Sequence, residues 1–295
     1  MGKLRILVTN DDGIHGPGLG VAEKIARTLT DDVWVVAPET EQSGASHSLT
    51  LTLPLRLRQI SERRFAVTGT PTDCVMMGVA EILKDKPPTL LISGVNRGSN
   101  LADDVTYSGT IAGAMEGTAL GIPSIALSQS YNFAAKKDFN WGCGEKHGPQ
   151  VVKRLIEVGW PEDVLINVNF PDCAAEEVGG IEVTSQGKRD LNMATLDRRV
   201  DMRGIPYYWI GFKRTRSEAL EGTDLRAVQK KNISVTPLHL NLTEYKVMEK
   251  LRQQLQSAQA APARPGKRGG GKEGEILPLS ADPIPPKPAT EGYES

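Results

Sequence analysis

The first 130 residues alternate short, almost wholly apolar runs with segments of helical spacing, and that alternation leaves few architectures open. Residues 5–9 (RILVT), 33–37 (VWVVA), 90–93 (LLIS) and 123–127 (PSIAL) have the composition of buried strands. Between them, residues 19–29, 73–83 and 110–120 repeat apolar side chains at helical intervals. Strands that are apolar on both sides need cover on both faces, which points to a mostly parallel sheet in an α/β fold. Local signals mark the ends: Pro38 after the second strand, Thr72 or Asp73 as a helix N-cap, and Gly121 as a C-cap.

One insertion interrupts the alternation. Residues 49–57 (LTLTLPLRL) alternate with period two and are followed by residues 64–67 (RFAV), which predicts a hairpin, with Arg56 and Arg58 suited to subunit contact or closure over a site. Beyond residue 130 the pattern is more mixed. Residues 150–158 read as a helix, 164–168 as a fifth buried strand, 232–240 as a strand broken by Pro237, and 242–255 as a helix. Residues 181–185 and 207–212 are expected to pair as an antiparallel arm. From Gln256 the chain becomes rich in Pro and Gly. Such a stretch buries too little apolar surface to offset its ordering entropy. The expected organisation is one α/β domain over residues 1–255 and a disordered tail over 256–295.

Composition removes several function classes. Thirty-five Lys and Arg balance 36 Asp and Glu, for a formal charge of −1, which argues against a partner that is a nucleic-acid polymer. No run approaches the roughly 18 apolar residues of a membrane span, and the first residues, MGKLR, carry no secretory apolar segment. Cys74, Cys143 and Cys173 are too few and too scattered for a disulfide framework and read as free thiols, with the cytoplasm as the expected compartment.

The strongest chemical signal is Asn10-Asp11-Asp12-Gly13, directly after the first strand. In open parallel sheets the ligand crevice lies beyond the carboxyl ends of the strands. Two adjacent carboxylates there repel unless a positive charge joins them. An Asp-Gly turn that caps the next helix is the plainer alternative. Other strand ends also carry small polar residues, TEQSGAS at 40–46 and SGVNRGSN at 93–100, and neighbouring parallel strands would bring them to the same edge. Carboxylate, amide and hydroxyl oxygens suit Mg²⁺ or Mn²⁺ rather than zinc, and the four histidines are scattered. At Tyr107-Ser108-Gly109-Thr110 a hydroxyl- and glycine-rich segment opens a helix, where free N–H groups and the helix dipole favour an anion. A simple Ser or Thr cap is the competing reading. Gly16-Pro-Gly18-Leu-Gly20 is GxGxG rather than the dinucleotide GxGxxG, and no P-loop or GxSxG elbow is present.

Taken together these stretches resemble the SurE family of survival proteins and 5′-nucleotidases. The resemblance is carried by ILVTNDDGIHGPGL (6–19), VVAPETEQSGASHSLT (35–50), GTPTDCV (69–75), ISGVNRGSNLADDVTYSGTIAGAMEGTALGIPSIALS (92–128), INVNFP (166–171) and SVTPL (234–238). It implies a Rossmann-like three-layer α/β core, a projecting β-arm, and a dimer or tetramer with exchanged C-terminal elements. It also implies metal-dependent hydrolysis of nucleoside 5′- and 3′-monophosphates, with short polyphosphate as a further substrate. Carried over residue by residue, the metal ligands are Asp11, Asp12, Ser43 and Asn96, and the phosphate contacts are Asn100, Ser108, Gly109 and Thr110. Family members often have glycine where Ala45 or Ser46 stands, and the tail lies outside the common pattern.

On this reading one divalent cation lowers the pKa of a water and polarises a phosphoryl oxygen, with Asp11 as first choice to orient or deprotonate that water. Placed positive charge then carries most of the catalysis. A dinucleotide-dependent oxidoreductase and a non-enzymatic nucleotide-binding protein are the alternatives. His239 is expected in the core or at an interface. Glu116, on the helix that follows the anion site, is expected to meet a backbone group or a basic partner.

Overall fold

The computed structural model describes residues 4–131, 139–189, 191–214 and 219–257. The expected disordered tail lies, apart from its first two residues, outside them. The chain separates into two units that divide after Leu242.

The first unit is built on a nine-stranded sheet. Its strands are β1 (Ile6–Thr9), β2 (Val33–Pro38), β3 (Leu57–Ser61), β4 (Arg64–Val67), β5 (Leu90–Arg97), β6 (Ser124–Gln129), β7 (Val164–Phe170), β8 (Ile181–Val183) and β11 (Ile233–His239). The spatial order is β3-β4-β2-β1-β5-β6-β7-β11-β8. From β4 to β7 all pairs are parallel; β3 and β11 join antiparallel to β4 and β7. Side chains alternate across the sheet, so Ile6 and Val8 enter one hydrophobic cluster while Leu7 enters the other. Helices α1 (Pro17–Arg27) and α4 (Gly142–Val158) cover the first face; α2 (Pro71–Met77) and α3 (Gly109–Ala119) cover the second. The result is the expected three-layer α/β core. Helix α5 (Asp224–Gln229) leads into β11.

Helix starts follow local chemistry. Pro17 opens α1, where its missing N–H costs no hydrogen bond. Neither Thr72 nor Asp73 is the N-cap of α2. Thr70 takes that place and Asp73 sits three residues on, closing a capping box in which Thr70 Oγ1 accepts from Asp73 N–H (3.2 Å) while Asp73 Oδ2 accepts from Thr70 N–H (2.8 Å). The buried Asp73 carboxylate also accepts from the amide and hydroxyl of Thr50, at 3.1 and 2.7 Å. The helix then continues as a π-turn over Gly78–Ile82.

Three expectations are corrected. The hairpin after β2 exists, but its first strand is β3 rather than residues 49–57. Among the described residues no strand pairs with 49–55, and Leu51 and Leu53 are 84% and 70% exposed. Period two in the sequence therefore did not mark pairing. Secondly, residues 181–185 do not pair with 207–212. Strand β8 adds parallel to β11, and the arm is formed by β9 (Leu191–Val200) and β10 (Pro206–Arg214), a separate two-stranded sheet. Residues 196–200 and 206–210 of this arm are exposed on both faces. Thirdly, α4 begins eight residues earlier than residue 150 and runs through Gly148 and Pro149. These are poor helix formers, but a Cβ on Gly148 would lie 2.4 Å from Ile25 Cδ1, so close packing on α1 overrides propensity. Pro237 is tolerated in β11 because it lies past the end of β8, where no strand among the described residues pairs with that side.

The second unit contains α6 (Tyr245–Ser257), whose Tyr245, Val247, Leu251 and Leu255 are exposed.

Candidate active site

Strand β1 steps to β2 on one side and β5 lies on its other side, so the connections leave in opposite directions at the β1–β5 boundary. That is the switch point at which open α/β sheets hold ligands. An open cleft of about 790 Å³ lies there, lined by Asp11 and Asp12 from the end of β1, Ser43 from the loop after β2, and Asn96 from the end of β5. The loop that follows β5 adds Asn100 and Ser108. The four residues expected as metal ligands thus share one cleft. Gly109 and Thr110 stand behind Asp11 instead of on the wall.

Close approach at the start of α3 explains this placement. A Cβ on Gly109 would lie 2.7 Å from Asp11 Cβ, so only glycine lets the helix end come this near. Thr110 Oγ1 donates to Asp11 Oδ1 at 2.6 Å. Ser108 is the N-cap of α3, its Oγ accepting from Ile111 N–H at 3.1 Å. The positive end of this helix is therefore directed first at Asp11. Even so, burial pushes the Asp11 carboxyl up from 3.8 to about 6, helped by the charge of Asp12 and opposed by the Thr110 hydroxyl. Asp12 is raised too, chiefly by burial, with Arg97 N–H opposing and Glu41 adding to it.

Asp12 Oδ2 is buried without a hydrogen-bond donor among the described residues. An orphaned carboxylate oxygen beside a second buried carboxylate is the environment that a divalent cation relieves. The remaining donors are compatible with a hard ion. Asn96 Nδ2 donates to the Gly98 carbonyl at 3.0 Å, which leaves Oδ1 available, and Ser43 Oγ, donating to Glu41 Oε1 at 2.9 Å, retains its lone pairs. Two carboxylates, an amide oxygen and a hydroxyl form a set suited to Mg²⁺ or Mn²⁺.

Beneath the wall lies an amide network. The Asn100 backbone N–H donates to Asn169 Oδ1 (2.8 Å), and its carbonyl accepts from Asn167 (2.8 Å) and Asn169 (3.1 Å). Asn100 Nδ2 donates to Ser128 Oγ at 2.8 Å. All of these side chains are buried. Sequence reasoning missed Asn167 and Asn169 as supports, although two amides in the otherwise apolar β7 run INVNF were a readable signal. It also missed Arg97, Phe139 and Trp141, which line the cleft; the irregular segment before α4 offered no pattern for the two rings. Glu116 does meet a basic partner, since its Oε2 lies 2.9 Å from His47 Nε2. His239 is not a core residue. It is exposed, and its Nδ1 accepts from Asn241 N–H. Gly16 and Gly18 have packing duties: a Cβ on Gly18 would fall 1.9 Å from the Val95 carbonyl oxygen.

Comparison with known proteins shows the family. The family model described as survival protein SurE matches residues 6–193. The chain belongs to the SurE family. A relative from Parvibaculum lavamentivorans named 5′-nucleotidase SurE is 57% identical over 263 residues, spanning 89% of this chain and 95% of its own. One of the same name from Brucella suis is 58% identical over 249 residues, spanning 84% and 97%. The crystal structure of the SurE protein from Aquifex aeolicus superposes with a TM-score of 0.74 at 43% identity, covering 85% of this chain and 99% of that one. No helix among the described residues is long and apolar enough to cross a membrane.

Proposed function

We propose that this chain is a metal-dependent phosphomonoesterase that hydrolyses nucleoside 5′-monophosphates. The observation that carries the proposal is the convergence of Asp11, Asp12, Ser43 and Asn96 on one open cleft, with a carboxylate oxygen of Asp12 buried and unpartnered. The names of the SurE relatives supply the reaction class.

Asp11, Asp12, Ser43 and Asn96 would hold one Mg²⁺ or Mn²⁺. Bound there, the ion supplies Lewis acidity toward a phosphoryl oxygen and a more acidic water. Asp11 is oriented by the Thr110 hydroxyl on Oδ1, which leaves its second oxygen to orient a water for in-line attack. Asn100 and Ser108 face the cleft where the non-reacting phosphoryl oxygens would lie. Thr110 and Gly109 act through Asp11, the first by hydrogen bonding and the second by allowing the approach. Asn167 and Asn169 hold the Asn100 backbone in register.

The proposal extends to nucleoside 3′-monophosphates and short polyphosphate as further substrates, to a cytoplasmic location, and to self-association as a dimer or tetramer. The exposed β9–β10 arm and α6 are the elements offered for subunit contact and exchange. The test is a panel of AMP, 3′-AMP and short polyphosphate assayed with Mg²⁺, with Mn²⁺ and after EDTA, alongside mass measurement in solution. Release of phosphate from AMP that stops with EDTA and returns with metal supports the reading. Full activity of Asp11→Asn, or AMP binding without turnover at saturating metal, refutes it.

A further inference from the structure

We propose that Arg97 and Phe139, backed by Trp141, form a stacking shelf for the nucleoside base, which makes Arg97 a specificity-determining residue. The inference deepens the phosphomonoesterase reading and rests on it for the identity of the ligand.

Arg97 is the last residue of β5, next to Asn96. It is the single basic side chain among the described residues that line the cleft, where Asp12, Glu41, Asp103 and Asp104 also stand. Yet it makes no ion pair with any of them. Asp104 is instead bound by Arg189 at 2.7 Å, and Glu41 accepts from Ser43. The Arg97 guanidinium lies over two rings, 5.4 Å from the centre of Phe139 and 5.8 Å from that of Tyr131. Phe139 packs in turn on Trp141 at 4.3 Å and on Tyr131 at 5.0 Å. Trp141 is held against α1, since even a methyl at Gly18 would come within 2.7 Å of its indole. The wall is thus a packed aromatic platform carrying an exposed planar cation.

A guanidinium positioned by ring faces rather than by carboxylates presents a flat surface to the cleft. Flat π-systems extend such a stack, and every nucleobase has a π-face. On the phosphomonoesterase reading, the phosphoryl end sits at the cation that Asp11, Asp12, Ser43 and Asn96 would hold, and Arg97 follows Asn96 directly in β5 on the same cleft wall. A nucleoside monophosphate seated that way would have its base to place on the shelf.

The experiment uses the full chain with saturating Mn²⁺. AMP and ribose 5-phosphate share the reacting phosphate, but only AMP carries a base. We expect the AMP to ribose 5-phosphate ratio of kcat/KM to fall about tenfold in Arg97→Ala and Phe139→Leu, with the change in KM for AMP. Arg97→Lys keeps the charge but loses the plane, so it should not restore the ratio; Phe139→Tyr should keep it. A parallel fall for both substrates would mean that Arg97 holds the phosphoryl group, and it overturns the shelf, as does an unchanged ratio. Adenosine binding by calorimetry supplies a readout free of catalysis: about tenfold weaker binding to Arg97→Ala supports the shelf, and equal binding overturns it. If the wild type hydrolyses neither ester, the phosphomonoesterase reading fails, and the adenosine result still decides the shelf.

Discussion

Replacing Asp11 by Asn should make the metal-free protein more stable while abolishing its activity. The carboxyl is 5% exposed and its pKa rises from 3.8 to about 6, with burial as the main cause. A carboxyl whose folded pKa lies above its unfolded value binds its proton more tightly when folded. Its stabilising effect is complete in acid, below the unfolded value, and is lost as pH climbs from about 4 through 6. At pH 7.5 the buried charge therefore costs about 3 kcal/mol, at 1.36 kcal/mol per tenfold change in proton affinity. Asparagine has nearly the same shape and can still accept the Thr110 hydroxyl, so the variant keeps the packing and drops the charge. Urea unfolding with EDTA at pH 7.5 should show a gain of about 3 kcal/mol, corresponding to a Tm increase of roughly 6–12 °C for a domain of this size. At pH 4.5 the gain should shrink to about 1 kcal/mol. Added Mn²⁺ should stabilise the wild type and leave the variant nearly unchanged. A variant no more stable than the wild type at pH 7.5, or a gain that does not depend on pH, would refute the account of Asp11 as an uncompensated buried charge.

Gly18→Ala should destabilise by about 3 kcal/mol in chemical denaturation, because the new methyl meets a backbone carbonyl at 1.9 Å and α1 must move off β5. Asp73→Ala removes the capping carboxylate of α2 and the anchor of Thr50, so a loss of about 2 kcal/mol is expected by urea unfolding; a loss under 0.5 kcal/mol would discount the box as a stabilising element. Asn169→Ala leaves the Asn100 amide without its acceptor. Stability should fall by about 1–3 kcal/mol and kcat/KM for AMP by at least about tenfold, while an unaltered kcat/KM would remove Asn169 from the positioning network.

The fold was legible where burial and periodicity coincide. Strands β1, β2, β5, β6 and β7 are buried at nearly every position because both faces are covered, and helices α1 and α4 bury residues at helical spacing. Where side-chain type and pairing separate, local pattern misled. Residues 49–57 alternate like a strand, yet the neighbouring edge is occupied by β3, which pairs with β4 from residue 57 onward. The start of α4 looked like loop because Gly142, Gly144, Gly148 and Pro149 disfavour helix, and only the contact with Ile25 explains why the helix persists there. The partner of β10 was misassigned because antiparallel pairing of two exposed strands leaves no burial signature.

The acid pair Asp11-Asp12, the oxygen donors Ser43 and Asn96, and the hydroxyl turn before α3 were all readable as candidates, since each lies at the end of an apolar strand, in the loop that follows one, or at the start of a helix. Local sequence by itself determined which residue types are available and at which strand ends they stand. Only the tertiary structure decided their duties. It bound Thr110 to Asp11, left Asp12 with an unpartnered oxygen, and laid Arg97 over aromatic rings from a distant segment. The physical reason is that composition and spacing specify burial within one element, whereas a side chain's partner depends on which elements the sheet order brings side by side.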